Sequence, residues 1–550
     1  MQGLCNSTTK PQQVPCKSHF GGSDEMSLTN GWTGADARML QDALRLSQEA
    51  FAEYLDVHPR TVGYWHQKPS SRPKSEIQQM LDTALDRAPA DVQARFAELQ
   101  GTSTSPAATE AAPVKAATEA EQRLASDPNV VAALDWLDER GTREPGTARR
   151  AVASRLTQID VNSLRDRGSR RGRVDQRTVA QALADYYGRG SSGYGRYAAR
   201  FGDVEADTSV FTRSDWLDLN CPLIATHDRL KLMRAAGAAP VSLDEEAFDQ
   251  AVQRLAESLA LGIRFVNMPL YRLLGVDMRR ESLGGTVGIS SFVEYIVTMD
   301  LLEGELVDAL AGGVQAGELP LRDRYLPDLD TVLDVGGRLT AGGTLALCAF
   351  ARPADPFRGP ADYVLLVQER SGHVINAARR LAVIPKGFHQ PLVDFRADAQ
   401  VGATMRREME EELFGRHDID NTVGDQRSAD PMYPSRLSEP MRWLLGEPGR
   451  LRMECTGFGL NLVSGNFEFP SLIVVEDEEF WQRYGGQIEA NWETANLRQY
   501  SSADAELVEE LASDEAWSNE GLFALLQGLR RLSEIGGSRV NVPTIEWEIR

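Results

Sequence analysis

The sequence predicts a multidomain protein with an all-α head, a mainly α middle region and an α/β sandwich built on a mixed sheet. Three observations carry this. At 550 residues the chain exceeds what one ordinary hydrophobic core accommodates. The tract from Gly101 to Glu119, GTSTSPAATEAAPVKAATE, holds no large apolar residue and reads as a flexible linker. Apolar spacing is helical on both sides of that tract and turns strand-like after Tyr325. The expected divisions are a disordered N-terminus (1–30), the helical head (31–100), the linker (101–121), the helical middle (122–324), the sandwich (325–500) and a C-terminal helical extension (501–550).

Apolar residues make up 42% of the chain and charged residues 25%, the proportions of a globular protein. A formal charge of −21 repels polyanions at long range, which argues against indiscriminate nucleic-acid binding but leaves room for a local DNA-reading surface. The cysteines Cys5, Cys16, Cys221, Cys348 and Cys455 are scattered, with no CxxC pair and no zinc-like His spacing. Free thiols in a reducing cytoplasm are therefore expected. No apolar run approaches the roughly 18 residues of a membrane span, so no membrane partner is expected.

In the head, ADARMLQDALRLSQEAFAEYLDVHPRTVGYWHQ, the residues Leu40, Leu44, Phe51, Leu55, Val62 and Trp65 recur at helical spacing with two interruptions. That predicts three short helices. Ser47 is placed to cap the second, and Pro59 to open the third after the break at Asp56-Val57-His58. Helix, tight turn and helix is the geometry that lays a second helix in the major groove. From about Ala35 to Pro69 the sequence resembles the lambda-repressor-like (XRE) helix-turn-helix family. Leu44-Arg45-Leu46-Ser47-Gln48 opens the scaffold helix and Pro59-Arg60-Thr61-Val62 the recognition helix. It departs at Asp56, where the family has a turn glycine, and at His58, where Ser or Asn is commoner. The resemblance implies that Arg60, Thr61 and Tyr64 face DNA, with Gln48 near a phosphate. Arg forks onto guanine, while Thr and Tyr meet base edges or phosphates. A helical protein-interaction module is the alternative. Four basic residues stand against five acidic ones in this stretch, so a single copy should bind weakly, and a homo-oligomer or a second basic surface is expected.

In the middle region, segments such as NVVAALDWLDER and EEAFDQAVQRLAESLALGIRFV read as helices, while Arg196 to Phe201 reads as an extended piece. Between Arg140 and Arg177 eleven Arg stand against four acids. Two uses remain open, a phosphate-binding surface and pairing with acidic faces elsewhere in the chain.

Beyond Tyr325, strands are expected at Gly343–Phe350, Tyr363–Gln368, Leu381–Gly387, Gly457–Val463 and Pro470–Glu476. Between the third and fourth lies the helical segment Arg407-Glu408-Met409-Glu410-Glu411-Glu412-Leu413. Its spacing puts Glu408, Glu411 and Glu412 on one helix face with Arg407 one turn before Glu411. Carboxylates held that close repel unless a cation or a basic side chain lies among them; a hard divalent metal meets that need, and Arg407 can brace Glu411 from the preceding turn. The plain alternative is a solvated charged face.

Strands around this helix resemble the Nudix family over about Leu329 to Gln499. That family's signature is G-x5-E-x7-R-E-U-x-E-E-x-G-U, with U a bulky aliphatic residue. Arg407 to Glu412 matches the R-E-U-x-E-E half, and Pro385-Lys386-Gly387 matches the strand-end loop with the first Gly. The resemblance implies Mg2+ or Mn2+ held by Glu408 and Glu412 with help from Glu411, catalytic roles for these carboxylates and Arg407, and a nucleoside-diphosphate derivative bound near Lys386 and Gly387. The loop from Gly387 to Arg407 spans 20 positions where the signature has 14, and Ala399 stands where its first Glu belongs. His389 beside the loop is a candidate substrate contact, with an ordinary surface histidine as the plainer reading; Glu476, Glu478 and Glu479 stand where family members sometimes place an extra base, and read here as a solvated helix start. Together these features point to a DNA-binding transcriptional regulator whose Nudix-like domain binds a nucleotide-type small molecule, with its hydrolysis left open. The alternatives are an active Nudix hydrolase with the helix-turn-helix used for localisation or assembly, and a non-catalytic interaction scaffold.

Overall fold

The structure, a computed structural model, describes residues 32–86 except 45, 47, 56 and 69–70, then Ala88, Val92 and Phe96. It further describes 120–550 except 121, 123, 191, 234–241, 264–265, 314–318, 372–376, 417–429 and 489–493. The expected disordered N-terminus, the linker up to residue 119, Arg45, the Ser47 cap and the Asp56 turn lie outside the described residues. The chain divides into two units, Met1–Thr109 and Glu110–Arg550.

In the first unit, helices α1 (Gly34–Leu44), α2 (Gln48–Tyr54), α3 (Pro59–Gln67) and α4 (Ser75–Asp86) follow one another. Their apolar stripes meet in one core around Trp32, Leu40, Phe51, Leu55, Val62, Trp65 and Phe96. His58 caps α3: its Nδ1 accepts the Arg60 N–H at 3.1 Å, the task that Ser or Asn does at other helix starts.

The second unit opens with helices α5 (Pro128–Arg140), α6 (Thr147–Leu156), α7 (Val161–Arg171) and α8 (Gln176–Tyr187). Asp127, Asp160 and Asp175 cap α5, α7 and α8 through backbone N–H groups. Strands β1 (Tyr194–Phe201), β2 (Val204–Arg213), β3 (Cys221–Pro222) and β4 (Asp228–Leu232) come next. Helix α9 (Glu245–Ala260) and strands β5 (Pro269–Arg279) and β6 (Ser282–Ser291) follow. The middle thus holds more helix than strand, and beyond the extended piece at Arg196 to Phe201 it carries strands that the sequence did not suggest. The sequence of β6, SLGGTVGISS, hides its strand character because glycines dilute the apolar alternation. Close approach requires one of them: Gly285 has φ +138, and a Cβ there would lie 2.4 Å from the Gly275 carbonyl of β5.

Four short helices, α10 (Phe292–Ile296), α11 (Leu301–Ala311), α12 (Pro320–Tyr325) and α13 (Leu329–Leu333), lead into the strand-rich part. There β7 (Gly342–Arg352), β8 (Asp362–Arg370), β9 (Leu381–Val383) and β10 (Lys386–Phe388) precede helix α14 (Val401–Glu412). Beyond lie α15 (Glu439–Gly446), β11 (Leu451–Cys455), β12 (Gly459–Asn461), β13 (Phe467–Val475), α16 (Glu478–Tyr484), β14 (Thr494–Ser501), α17 (Ala505–Ser513), α18 (Asn519–Ile535) and β15 (Ile545–Ile549).

A twelve-stranded mixed sheet runs β14-β8-β7-β13-β12-β2-β1-β15, with β7 and β13 parallel and β10 on β7. Helices cover both faces. Leu345, Leu347, Leu365, Leu472 and Val474 pack under α17 and α18, while Ala346, Cys348, Leu366, Ile473 and Val475 pack under α14, α15 and α16. The expected boundary at 324/325 is not a packing boundary, because β2 pairs with β12 and α12 pins the β12–β13 loop through Arg322, which donates to the Leu462 and Val463 carbonyls. Residues 501–550 likewise supply a covering helix and an edge strand, not an appendage.

Candidate functional site

The helix singled out in the sequence is α14, which buries ten of its twelve residues. Its start is made by a distant residue. Gln400 offers no side-chain cap, and Asp228 of β4 accepts the Gly402 N–H at 2.9 Å instead. Burial pushes the Asp228 carboxyl up to about 6.

Charged side chains of α14 do not form a solvated face. Glu408, Glu410, Glu411 and Glu412 are all at most 9% exposed, and Arg407 is 2% exposed. Arg407 Nη2 donates to Glu408 Oε1 at 2.7 Å, and its Nε lies 3.8 Å from Glu411 Oε1. The same guanidinium donates to the Gln390 and Phe388 carbonyls, tying the loop after β10 to the helix. Burial alone would lower the Arg407 pKa, but the Glu408 and Glu411 charges outweigh it and raise the value. Glu410 accepts from Ser438 and Arg416, and so anchors α15 rather than a ligand.

Beneath the helix lies β10, with Gly387 opposite Thr344. A Cβ added at Gly387 would stand 2.1 Å from the Glu408 carboxyl carbon, so only glycine admits this approach. The Thr344 hydroxyl is buried with no hydrogen-bond partner among the described residues. Lys386 works on both sheet faces: its N–H donates to Glu412 Oε2 at 2.8 Å, while its ammonium pairs with Glu520 at the start of α18. Burial would raise Glu520, and Lys386 more than reverses that, so its pKa falls. Glu468 is pushed well above the carboxylate range by burial and by the Glu520 charge. Asn461 donates to both carboxylates, at 3.3 and 3.0 Å. No sequence spacing pointed to Glu468, Asn461 or Glu520, since they reach Lys386 from separate elements.

No family model matches the chain, and no curated protein matches it either.

His389 is not at the surface as expected. It is fully buried between the Thr404 hydroxyl and the Ala399 carbonyl, its ring tilted against Tyr271 with centroids 4.6 Å apart, and burial holds its imidazole down to about 3. Ala399, where the signature's first Glu belongs, is buried too. Glu476 accepts from Tyr363, while Glu478 and Glu479 pair with Arg539 and Arg483 at the start of α16.

The donor set does not fit a divalent cation as it stands. Glu408 is engaged by Arg407 and Glu412 by the Lys386 N–H, and among the described residues no group of three or more His, Cys, Asp or Glu side chains could hold a metal ion. Of the two cations that the spacing allowed, a metal or a basic side chain, the guanidinium of Arg407 lies against Glu408 and Glu411.

In the first unit, the structure puts Gln48, Arg60 and Tyr64 on the surface and leaves Thr61 half-buried, while Val62 and Trp65 of the same helix face the core. Gln48 of α2 lies beside Gly63 of α3, where a Cβ would be 3.9 Å from its Oε1. Lys68 adds a cation 5.4 Å from the Tyr64 ring centroid. No helix among the described residues is long and apolar enough to cross a membrane.

Proposed function

We propose that the chain is a DNA-binding transcriptional regulator whose Nudix-like part binds a nucleoside-diphosphate derivative. The observation that carries this reading is the pair α2 and α3. Its apolar residues supply the core, and the described residues exposed outward include Gln48, Arg60, Tyr64 and Lys68, side chains that donate to phosphates and base edges. The nearly balanced charge of the head supports a homo-oligomer, because one copy gains little from phosphate attraction.

A binding role, rather than hydrolysis, is favoured for the second unit by Arg407 among the α14 carboxylates. The Thr344 hydroxyl opposite Gly387, buried with no partner among the described residues, is a polar group that a ligand could meet once the Glu408 carboxylate shifts off Gly387. Such a ligand regulates DNA binding only by preferring one of two states of the protein. Mg2+ or Mn2+ belongs to the competing hydrolase reading, in which Glu408 would have to leave Arg407.

The deciding measurement is DNA binding by Arg60→Ala. Losing a bidentate base contact costs about 1–3 kcal/mol, so the variant should lose sequence preference at an unchanged melting temperature. Wild-type binding in that variant overturns the reading. Mg2+-dependent turnover of nucleoside-diphosphate derivatives that disappears in Glu408→Gln would favour the hydrolase.

A further inference from the structure

The Arg-rich stretch between α5 and α8 is only partly used by the fold. Among the described residues, three of its eleven arginines pair with other elements: Arg155 with Asp249, Arg167 with Glu257 and Arg171 with Asp308. Arg140 and Arg143 lie over Trp136 and Phe248. Two of the four acids are committed as helix caps, Asp160 to Asn162 N–H and Asp175 to Thr178 N–H. At the corner where α7 ends and α8 begins, Arg170, Arg173 and Arg177 are exposed. Among the described residues none of the three has a carboxylate in ion-pairing distance, and Asp175 meets Arg177 only through a longer-range Coulombic attraction.

Helix α7 is unusual in a second way. It buries none of its residues, and it carries Gly168 in its interior, where a Cβ would meet nothing within 4 Å. An interior glycine weakens a helix, and no neighbour in the fold needs the space. Gly168 lies one turn from Gly172 and shares that side of the helix with Arg165, so open backbone adjoins a further guanidinium.

We propose that the α7–α8 corner, with Arg165, Arg170, Arg173 and Arg177, binds the phosphodiester backbone of duplex DNA without sequence preference. Guanidinium forks match phosphate oxygens, and the stretch contains Arg but no Lys. The corner offers no exposed apolar or aromatic anchor of the kind that centres a protein interface, and a phosphate backbone requires none. This proposal rests on the reading of the chain as DNA-binding and adds the second basic surface that the weakly charged head calls for.

The experiment measures binding of full-length protein to random-sequence duplex DNA across a salt series, in wild type, Arg170→Gln/Arg173→Gln/Arg177→Gln, and the corresponding triple Lys variant, each with and without Arg60→Ala. Three lost phosphate contacts lower the log–log salt slope by about 2.7, which is about 40-fold less salt sensitivity between 50 and 200 mM. The Lys variant should keep the wild-type slope. A slope unchanged by the triple Gln substitution overturns the proposal even where Arg60→Ala abolishes specific binding. If Arg60→Ala keeps its sequence preference while the corner variant lowers the salt slope, the head reading fails and the corner stands. A change in sedimentation with an unchanged DNA slope makes the corner a protein interface and overturns it.

Discussion

Lys386 shows how one residue can serve two faces of a sheet: its main chain holds Glu412 under α14, and its side chain holds Glu520 under α18. Around it the buried carboxyls shift in opposite directions, Glu520 downward because of the Lys386 charge and Glu468 upward because of burial and the Glu520 charge. Asp228 is a third case and the easiest to test, because it is fully buried at the start of α14. Its folded value of about 6 lies above the unfolded value of 3.8, so the native state binds more protons between these values. Stability must then fall as pH rises through that window, by up to about 3 kcal/mol. Asp228→Asn keeps an acceptor for Gly402 and removes the proton. Melting temperatures should show the variant gaining on wild type between pH 4.5 and pH 7, and parallel curves would place the Asp228 titration elsewhere.

At the scale of elements, α14 and the strands around it were legible because their apolar periods are local properties of sequence. The carboxylate spacing was also real, but its use was not legible. Burial of Glu408 depends on Gly387, and the caps and ties come from Asp228, Ser438 and Lys386, none of them on the helix. The same limit hid His389, which is buried by Tyr271 and Thr404 from other elements, and β6, whose glycines answer to β5. Gly387→Ala tests the contact between β10 and α14. A methyl group there cannot coexist with the present Glu408 carboxylate, so it should cost about 1–3 kcal/mol in denaturant unfolding and loosen the Arg407–Glu408 pair. A substitution without cost would show that the Glu408 carboxylate moves freely off β10 and that the close approach of α14 does not hold it.

For the whole molecule, sequence periodicity placed a domain edge at 324/325 that the sheet ignores. Strand pairing is long-range: β1 finds its partner β15 some 350 residues later, and five register pairs join them from Tyr197↔Ile549 to Phe201↔Ile545. Arg530 of α18 also donates to the Ile545 carbonyl, so the C-terminal strand is tied to the helix covering the sheet. A fragment spanning 325–500 would keep β7, β8 and β13 but lose α18 from one face and β2 from beside β12, exposing Leu345, Leu347, Leu472 and Val474 together. An apolar sheet face of that kind drives aggregation. Expressed alone, 325–500 should be insoluble or bind a hydrophobic dye, whereas 110–550, a compact unit in its own right, should melt cooperatively at the temperature of the corresponding transition in the full chain. A soluble, cooperatively melting 325–500 would restore the boundary that the sequence suggested and reduce β1, β2, α18 and β15 to additions.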